Sequence, residues 1–555
     1  MRGVQSIISL FLRKKYRMSG VSRDAPIGIQ FIQRISSRCC PRIQINRLRW
    51  YQTSVLILTF FTYMTYHLTR KPISVVKSVL HQNCSALPPP PGIEPGDDQW
   101  CNWPPFNTNN ANTLLGALDS AFLFSYAAAM FVSGMVAERV DLRYFLSLGM
   151  LFSAIFCYLF GIGRTYNIHN ISYYLVVQAG AGIAQTTGWP GTVAIVGKWF
   201  GRSKKGLIFG IWNSHTSLGN ILGTLMAAEY VDKDWALSFI YPGLVMGAVG
   251  AVMWLFLPPE PKCVGLTTGS NDRISPSRQS TDSDDDEGDD VEEPSQVIVG
   301  DQAASLRPNR HSANTTHHEE PTERTSLLRS SQTESAVSMS RALAIPGVVE
   351  YSMSLFFAKL VSYTFLYWLP SYIRATSADL SAKQSGELST VFDVGGVFGA
   401  ILAGLVADCT SCPALVCVTF YTLCAPVLFI YQTYGATSYL TNVFLLIITG
   451  AFVNGPYALI TTAVSAELGT HTSLAGDAKA LATVTAIIDG TGSVGAAIGP
   501  MLAGVVSSNS WTHVFYMLII CNFMALFLLL RIAKTELAKI RQERRIASSP
   551  RVRIE

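Results

Sequence analysis

Residues 50–80 read WYQTSVLILTFFTYMTYHLTRKPISVVKSVL, and this segment indicates the class of fold. It is long and apolar enough for a membrane-spanning helix, which needs roughly 20 mostly apolar residues. Arg70 and Lys71 lie side by side within it. An unpaired cation at mid-membrane is costly, so such residues usually face a protein interior or an aqueous cavity and handle ions or polar solutes. Two adjacent cations therefore indicate a functional site for an anionic solute.

The composition of the whole chain agrees with a protein that crosses the bilayer many times. Of its 555 residues, 49% are hydrophobic and only 14% are charged, a balance that soluble globular proteins rarely show. A closed β-barrel would show short alternating segments, so we expect an all-α membrane protein with about twelve spanning helices. These spans are predicted to start near Tyr51, Leu114, Tyr144, Ile171, Gly206, Ala236, Ile345, Gln384, Pro413, Tyr439, Lys479 and Trp511.

The distribution of positive charge predicts the orientation of these spans. Residues 1–49 are rich in Arg and Lys, whereas the loop from His81 to Asn112 contains neither. Because cytoplasmic loops carry the excess of Lys and Arg, we expect a cytoplasmic N-terminus. An even number of spans returns the C-terminus to the same side. The net charge of +5 is explained by this topology, and no nucleic-acid partner is indicated.

A change of composition divides the chain into two halves. From Pro258 to about Met339 the sequence is dominated by Ser, Thr, Asp, Glu and Pro, so we expect disorder there. The expected organisation is a basic cytoplasmic tail (1–49), a six-helix bundle (50–257), a disordered cytoplasmic linker (258–343), a second six-helix bundle (344–532) and a basic cytoplasmic tail (533–555).

Two kinds of short motif concern sorting and modification. In the predicted linker, Glu323, Leu327 and Leu328 have the spacing of an acidic dileucine signal for a sorting adaptor. A chance match in a polar segment is the alternative interpretation. Asn83 and Asn170 begin N-x-S sequons in predicted non-cytoplasmic loops, so glycosylation is expected at either residue that clears the membrane surface.

The cysteines predict no metal site. Cys409 and Cys412 form a single C-x-x-C pair without a second pair or a histidine, which argues against a metal ion, and no other cofactor is indicated. Cys84 and Cys101 both fall in the first non-cytoplasmic loop. An oxidising lumen would permit a disulfide between them, with two free thiols as the alternative.

A weak internal repeat supports the division into two halves. The sequence Gly134-Met-Val-Ala-Glu138-Arg139 follows the second predicted span, and Gly404-Leu-Val-Ala-Asp408 follows the eighth. The pattern resembles the inter-helix loop motif of the major facilitator superfamily, which implies two six-helix bundles that rock around a central cavity. Glu138, Arg139 and Asp408 would then form a cytoplasmic charge latch. Solvated loop charges are the alternative.

Five further stretches narrow this resemblance. Together they resemble the organophosphate:phosphate antiporter family, which includes the bacterial glycerol-3-phosphate transporter and the animal sugar-phosphate exchangers of the endoplasmic reticulum. Outside the linker, the resemblance to the animal exchangers extends from Trp50 to Ala533. The five stretches are Tyr66-His-Leu-Thr-Arg-Lys71, Gly188-Trp-Pro-Gly191 with Lys198-Trp-Phe200, Gly210-Ile-Trp-Asn213, Tyr367-Trp-Leu-Pro-Ser-Tyr372 and Asp489-Gly-Thr-Gly-Ser-Val-Gly-Ala-Ala-Ile-Gly-Pro500.

Arg70 matches the first-span arginine of this family. A phosphate monoester carries about −1.5 to −2 charges near pH 7, and a guanidinium can bind its oxygens in a bidentate fork. The resemblance therefore implies that Arg70 binds phosphate. A structural ion pair with Asp119, Asp393 or Asp489 is the alternative.

The other cations depart from the bacterial pattern. The seventh-span arginine of the bacterial protein aligns with Ser362, and we expect Lys359, three residues earlier on nearly the same helix face, to replace it. Lys71 is expected to be a supporting charge or a salt-bridge partner. His215 lies one position from the fifth-span histidine of the family. It is a candidate phosphate contact or proton-sensitive group, with a structural histidine as the alternative.

The remaining candidate positions are neutral or acidic. Asp393 and Asp489 are expected to pair with Lys359 or Lys71, or else to couple transport to protons. Five residues are expected to line the cavity, with ordinary helix packing as the alternative: Tyr63, His67, Tyr126, Trp189 and Asn213.

These assignments predict a secondary transporter that exchanges inorganic phosphate for a sugar phosphate, glucose 6-phosphate or glycerol 3-phosphate, by alternating access. Closing an empty cavity over Arg70 and Lys359 would bury uncompensated charge, so we expect reorientation to require cargo. The alternatives are proton-coupled transport of another organic anion and, from another class, a non-transporting membrane scaffold or sensor. No water-facing catalytic motif indicates an enzyme. The resemblance implies the endoplasmic reticulum membrane, with an endosomal or lysosomal membrane as the alternative.

Overall fold

The architecture follows from a computed structural model, which describes residues 25–39, 46–82, 84, 101–137, 139–200, 205–266, 339–377, 380–469 and 480–548. Every regular element within these ranges is a helix. We call residues 25–266 the first half and residues 339–548 the second half. The described helices of both halves belong to one compact unit.

The described residues of the first half form nine α-helices. A short 3₁₀ helix, Pro261–Val264, follows the last of them. The nine are α1 (Ile27–Cys39), α2 (Arg47–Arg70), α3 (Pro72–Leu80), α4 (Ala111–Ala137), α5 (Leu142–Thr165), α6 (Ile171–Gln185), α7 (Gly188–Phe200), α8 (Lys205–Val231) and α9 (Leu237–Phe256).

Eight α-helices are present in the described ranges of the second half. A π-helical turn, Ile460–Val464, joins the fifth and sixth of them. The eight are α10 (Met339–Leu343), α11 (Val348–Thr376), α12 (Ala382–Thr410), α13 (Pro413–Tyr434), α14 (Tyr439–Leu459), α15 (Ser465–Leu468), α16 (Ala480–Ser507) and α17 (Trp511–Ser548).

The prediction of an all-α, multi-pass membrane protein is confirmed. In the described part of the chain, eight helices are long and apolar enough to cross a bilayer: α4, α5, α9, α12, α13, α14 with its π-turn, α16 and α17. The other four predicted spans coincide with the broken pairs α2–α3 and α6–α7 and with α8 and α11. Helices α3, α6 and α7 are each shorter than 18 residues, the length required of a single spanning helix, and the count of twelve stays a prediction.

The first predicted bundle contains a break that the sequence analysis missed. Pro72 begins α3 directly after Lys71. Because proline has no backbone N–H, it ends the hydrogen-bond ladder of the preceding helix. The break therefore falls next to Arg70, the last residue of α2.

Both ends of the predicted disordered linker are structured, so its boundaries 258 and 343 are wrong. The carbonyl of Pro258 accepts a hydrogen bond from the Trp199 indole at 3.0 Å, and the buried Val264 accepts one from Arg47 at 3.3 Å. At the other end α10 is helical, with Ala342 buried. The dileucine match at Glu323, Leu327 and Leu328 lies outside the described residues.

The predicted tails also contain helix. Helix α1 lies within the predicted tail 1–49, and its Gln33 donates a hydrogen bond to the Tyr51 hydroxyl at 2.7 Å. Helix α17 continues to Ser548, so it extends beyond residue 532, the predicted end of the second bundle.

Glycines of α16 allow very close packing against α11. A Cβ atom at Gly495 would overlap the carbonyl oxygen of Phe356, and one at Gly499 would crowd the carbonyl oxygen of Leu360. Small residues of this kind let helix backbones approach each other in membranes. The contact joins two helices that carry candidate site residues, Lys359 and Asp489.

This packing predicts that Gly495→Ala destabilises the protein. The added methyl group forces a backbone shift, which typically costs about 1–3 kcal/mol. We expect a lower thermal unfolding midpoint in detergent. The matched control is Gly404→Ala on α12, where a Cβ atom meets no other atom within 4 Å; an equal loss in both variants would contradict the prediction.

Candidate functional site

The site is built around the end of α2, where α8 packs unusually closely. A Cβ atom at Gly219 or Gly223 would overlap a backbone carbonyl oxygen of α2. This contact brings Asn220 next to His67, whose Nδ1 lies 3.1 Å from the Asn220 Oδ1. The polar end of α2 thus faces the protein interior rather than lipid.

Arg70 is buried, with 5% of its surface exposed, and no carboxylate of the described residues forms an ion pair with it. Its Nε donates a hydrogen bond to Gln185 Oε1 at 2.7 Å, and its guanidinium lies 4.9 Å from the Tyr126 ring centroid and 5.7 Å from that of Phe122. Its Nη2 is buried without a hydrogen-bond partner in the described part of the chain. A buried donor of this kind is poised to bind an anionic oxygen.

Three further cations of the described helices, Lys71, Lys77 and Lys359, are buried, and each has a carboxylate partner. Lys71 Nζ lies 3.7 Å from Asp393 Oδ2 and 3.1 Å from the Leu366 carbonyl oxygen. Lys77 on α3 pairs with Asp119 of α4. These two ion pairs join α3 and the α2–α3 break to neighbouring helices.

Lys359 forms the third ion pair. Its Nζ lies 2.6 Å from Asp489 Oδ1 and 3.2 Å from the Ser493 hydroxyl. Helix α16 thus presents Asp489 to Lys359, one of the two pairings expected for this acid, so closing the cavity would not leave the Lys359 charge uncompensated. Of the four cations in this described region, Arg70 alone keeps an unbalanced charge.

A chain of polar contacts crosses between the two halves. Asn220 Nδ2 donates a hydrogen bond to Asp393 Oδ1 at 2.9 Å, and Asp393 pairs with Lys71. With the His67 contact, this chain links α2 and α8 of the first half to α12 of the second half. Any movement of one half against the other must disturb it.

An aromatic cluster forms one wall beside these groups. The Tyr63 ring lies 4.8 Å from His215, 5.3 Å from His67 and 5.1 Å from Trp189, measured between centroids. His215 is fully buried, its Nδ1 lies 3.1 Å from the Thr216 hydroxyl, and its Nε2 has no partner among the described residues. His215 therefore faces the aromatic cluster and retains one free ring nitrogen.

Two small cavities adjoin these residues. One of about 30 Å³ lies between the halves and includes His67, Asn213, Asn220 and Asp393 in its lining. The other, of about 20 Å³, is lined by Arg70 with Gln185 and residues of α4, α5, α9 and α11. We call the second the Arg70 cavity.

Sequence reasoning missed Lys77, Gln185 and Asn220 as site residues. Sequence spacing could have identified Lys77. It lies seven residues after Arg70, a spacing that places two residues on nearly the same face of a continuous helix. Gln185 and Asn220 carry no charge and match no motif, so only the packing of α6 and α8 identifies them.

The peripheral predictions fall at the surface. Cys84 and Cys101 form a disulfide, and Asn170 is exposed where its side chain caps α6. Arg139 and Asp408 are exposed at the ends of α4 and α12. Glu138 and Asn83 lie outside the described residues. Within the described chain, no group of three His, Cys, Asp or Glu residues could hold a metal ion.

Known proteins resemble this chain over most of its length. The sequence profile of the Major Facilitator Superfamily matches residues 55–476. The glucose-6-phosphate exchanger SLC37A2 of Xenopus laevis is 49% identical over 504 residues, covering 89% of this chain and 95% of that protein. SLC37A2 of Homo sapiens is 49% identical over 499 residues (89% and 94%), and the glucose-6-phosphate exchanger SLC37A1 of Mus musculus is 45% identical over 538 residues (92% and 96%).

A solved structure shows the same fold. It is the crystal structure of a bacterial homologue of the human lysosomal transporter Spinster, in an inward-facing and unoccupied conformation. The TM-score is 0.51 with 12% sequence identity, and the match covers 88% of this chain and 94% of that one. With sequence matches of this length and identity, the chain belongs to the glucose-6-phosphate exchanger family of the major facilitator superfamily.

Proposed function

We propose that this protein exchanges inorganic phosphate for a sugar phosphate, such as glucose 6-phosphate, by alternating access. The observation that carries the proposal is the uncompensated charge of Arg70. This guanidinium is buried beside a cavity with a free N–H donor, whereas the neighbouring lysines are paired with carboxylates. The names of the relatives, glucose-6-phosphate exchangers, support a sugar phosphate as the second cargo.

The charge balance explains why cargo would be required. Reorientation with an empty site keeps the Arg70 charge buried without a counter-ion, which is costly. A phosphate brings about −1.5 to −2 charges, more than Arg70 alone balances. Lys359 would supply the rest by exchanging its contact with Asp489 for a phosphate oxygen. Its Nζ lies 5.8 Å from the ring centroids of Tyr363 and Tyr457, which line the cavity between the halves. Lys71 acts as a supporting charge through Asp393.

The neutral groups complete the proposed site. Tyr63 and Tyr126 lie close enough to Arg70 to interact with it electrostatically, and their hydroxyls can donate to phosphate or sugar oxygens. His215 contributes its free ring nitrogen or holds Tyr63 in place. His67, Trp189 and Asn213 shape the walls.

The remaining assignments follow from the same proposal. Two six-helix bundles, divided near residues 257 and 344, would move around the site, with Arg139 and Asp408 in a cytoplasmic latch. Both termini are cytoplasmic, Asn170 is a glycosylation site, and the membrane is that of the endoplasmic reticulum. The protein transports its substrates without converting them, so we assign no enzymatic activity.

Counterflow in proteoliposomes tests the exchange. Vesicles loaded with phosphate should take up labelled glucose 6-phosphate, and empty vesicles should not, because return of the empty carrier is unfavourable. An imposed pH gradient should not replace internal phosphate. Equal uptake without internal phosphate, or uptake that follows the pH gradient, would support proton-coupled transport of an organic anion instead. No uptake under either condition would favour the scaffold hypothesis.

A further inference from the structure

Lys77 and Asp119 form a buried ion pair that phosphate binding at Arg70 does not use. The two side chains are 1% and 0% exposed. Both belong to the first half, but Lys77 Nζ also reaches α11 of the second half. It lies 3.4 Å from the Tyr367 carbonyl oxygen and 4.2 Å from the centroid of the Trp368 ring.

The pair lies between the Arg70 cavity and the end of the molecule that carries the Cys84–Cys101 disulfide. Lys77 lies on α3 between Arg70 and Cys84 in sequence, and Asp119 on α4 lies one turn before Phe122, which lines the Arg70 cavity. Tyr367 also lines the Arg70 cavity, so the Lys77 contact with its carbonyl lies at the edge of that cavity, on the disulfide side.

The Trp368 side of the contact is firmly held. Its indole N–H donates a hydrogen bond to the carbonyl of Pro500 at 2.9 Å. Lys77 therefore packs against a fixed ring of the second half. A desolvated cation on a tryptophan face is a strong contact for its size.

We propose that Lys77 is the gate residue on the disulfide side of the transport pathway. The closed gate is held by its contacts with Tyr367 and Trp368, and these contacts break when the halves separate. Asp119 acts as a positioning residue, which aims the ammonium group at α11 and neutralises it. Because the Lys77–Asp119 pair is neutral, Arg70 remains the anion site, and a passing phosphate is not retained at the gate. The identity of the cargo as phosphate rests on the proposed function, whereas the assignment of Lys77 as the gate does not.

Cys157 provides a native reporter for this gate. It is buried and lines the Arg70 cavity. We would treat the reconstituted full-length protein, from the disulfide side, with the membrane-impermeant thiol reagent sulfonatoethyl methanethiosulfonate. Mass spectrometry then measures the rate of modification at Cys157, with Cys157→Ala as the control for assignment.

Lys77→Met should increase the Cys157 modification rate by about tenfold, the population shift expected for losing one strong contact. The double variant Lys77→Met with Asp119→Asn leaves no unpaired carboxylate and should give the same increase. It serves as the test if the single variant folds poorly. The matched control is Lys383→Gln with Glu229→Gln, an exposed ion pair of 2.6 Å between the same halves. It should stay within about twofold of the wild type.

Wild-type rates in both Lys77 variants would overturn the gate assignment, as would an equal increase in the control. Because labelling needs no cargo, a failure of phosphate counterflow leaves this result intact. Conversely, normal counterflow with unchanged labelling would reject the gate alone.

Discussion

Replacing Arg70 by alanine should abolish exchange. The substitution removes the one buried charge that the described carboxylates leave uncompensated, together with its free Nη2 donor. Truncating a buried charged partner typically costs about 2–5 kcal/mol of binding, so we expect phosphate counterflow to fall by about 100-fold or more. Arg70→Lys keeps the charge but loses the bidentate fork, and it should retain partial activity.

Uptake of labelled phosphate into phosphate-loaded proteoliposomes measures this effect. Lys233→Gln is a suitable control, because Lys233 is an exposed cation paired with Glu229 at the surface. It should exchange phosphate at the wild-type rate. Near-normal exchange by a folded Arg70→Ala protein would show that the guanidinium does not hold the cargo.

Breaking the Lys359–Asp489 pair on one side should strongly destabilise the fold. Asp489→Asn leaves the Lys359 ammonium buried with the Ser493 hydroxyl and a backbone carbonyl as partners. Removing one partner of a buried pair costs about 3–5 kcal/mol, whereas replacing both with apolar residues is often neutral. The double variant Lys359→Met with Asp489→Leu should therefore recover most of the lost stability.

Thermal unfolding in detergent and counterflow together separate the two roles of this pair. We expect the double variant to be stable and yet inactive, because Lys359 no longer contacts phosphate. Ser493→Ala is the control, because it removes only the two hydrogen bonds of the Ser493 hydroxyl, with Lys359 and with the Asp489 carbonyl, each worth about 1 kcal/mol. A stable and fully active double variant would restrict Lys359 to a structural role.

Much of the fold was predictable from composition and motifs. Long apolar segments require helices in a bilayer, and the five motifs between Tyr66 and Pro500 indicated a family that the comparisons confirm. Helix interruptions were harder to predict. Pro72 directly follows Arg70 and Lys71. The first span was predicted from the length of its apolar run, and that length does not show that the helix is interrupted at Pro72.

The site was predictable only as a set of charged residues. Arg70, Lys71, Lys359, Asp393 and Asp489 stand out because charge is rare in spanning helices. Their pairing was not determined, because a lysine on one helix can reach acids on several others. Gln185 and Asn220 give no signal in sequence, although they hold Arg70 and Asp393.

Composition, charge placement and motifs were enough to identify a polytopic helical membrane protein of an anion-exchanger family with charge at its centre. The length of an apolar segment and the position of its charges are local properties, because each spanning segment must satisfy the requirements of the bilayer on its own. Which cation lacks a counter-ion follows from the three-dimensional packing. The lysines are paired because α4, α12 and α16 bring their acids to α3, to the α2–α3 break and to α11. Side chains distant in sequence pair only where helix packing brings their ends within hydrogen-bond distance.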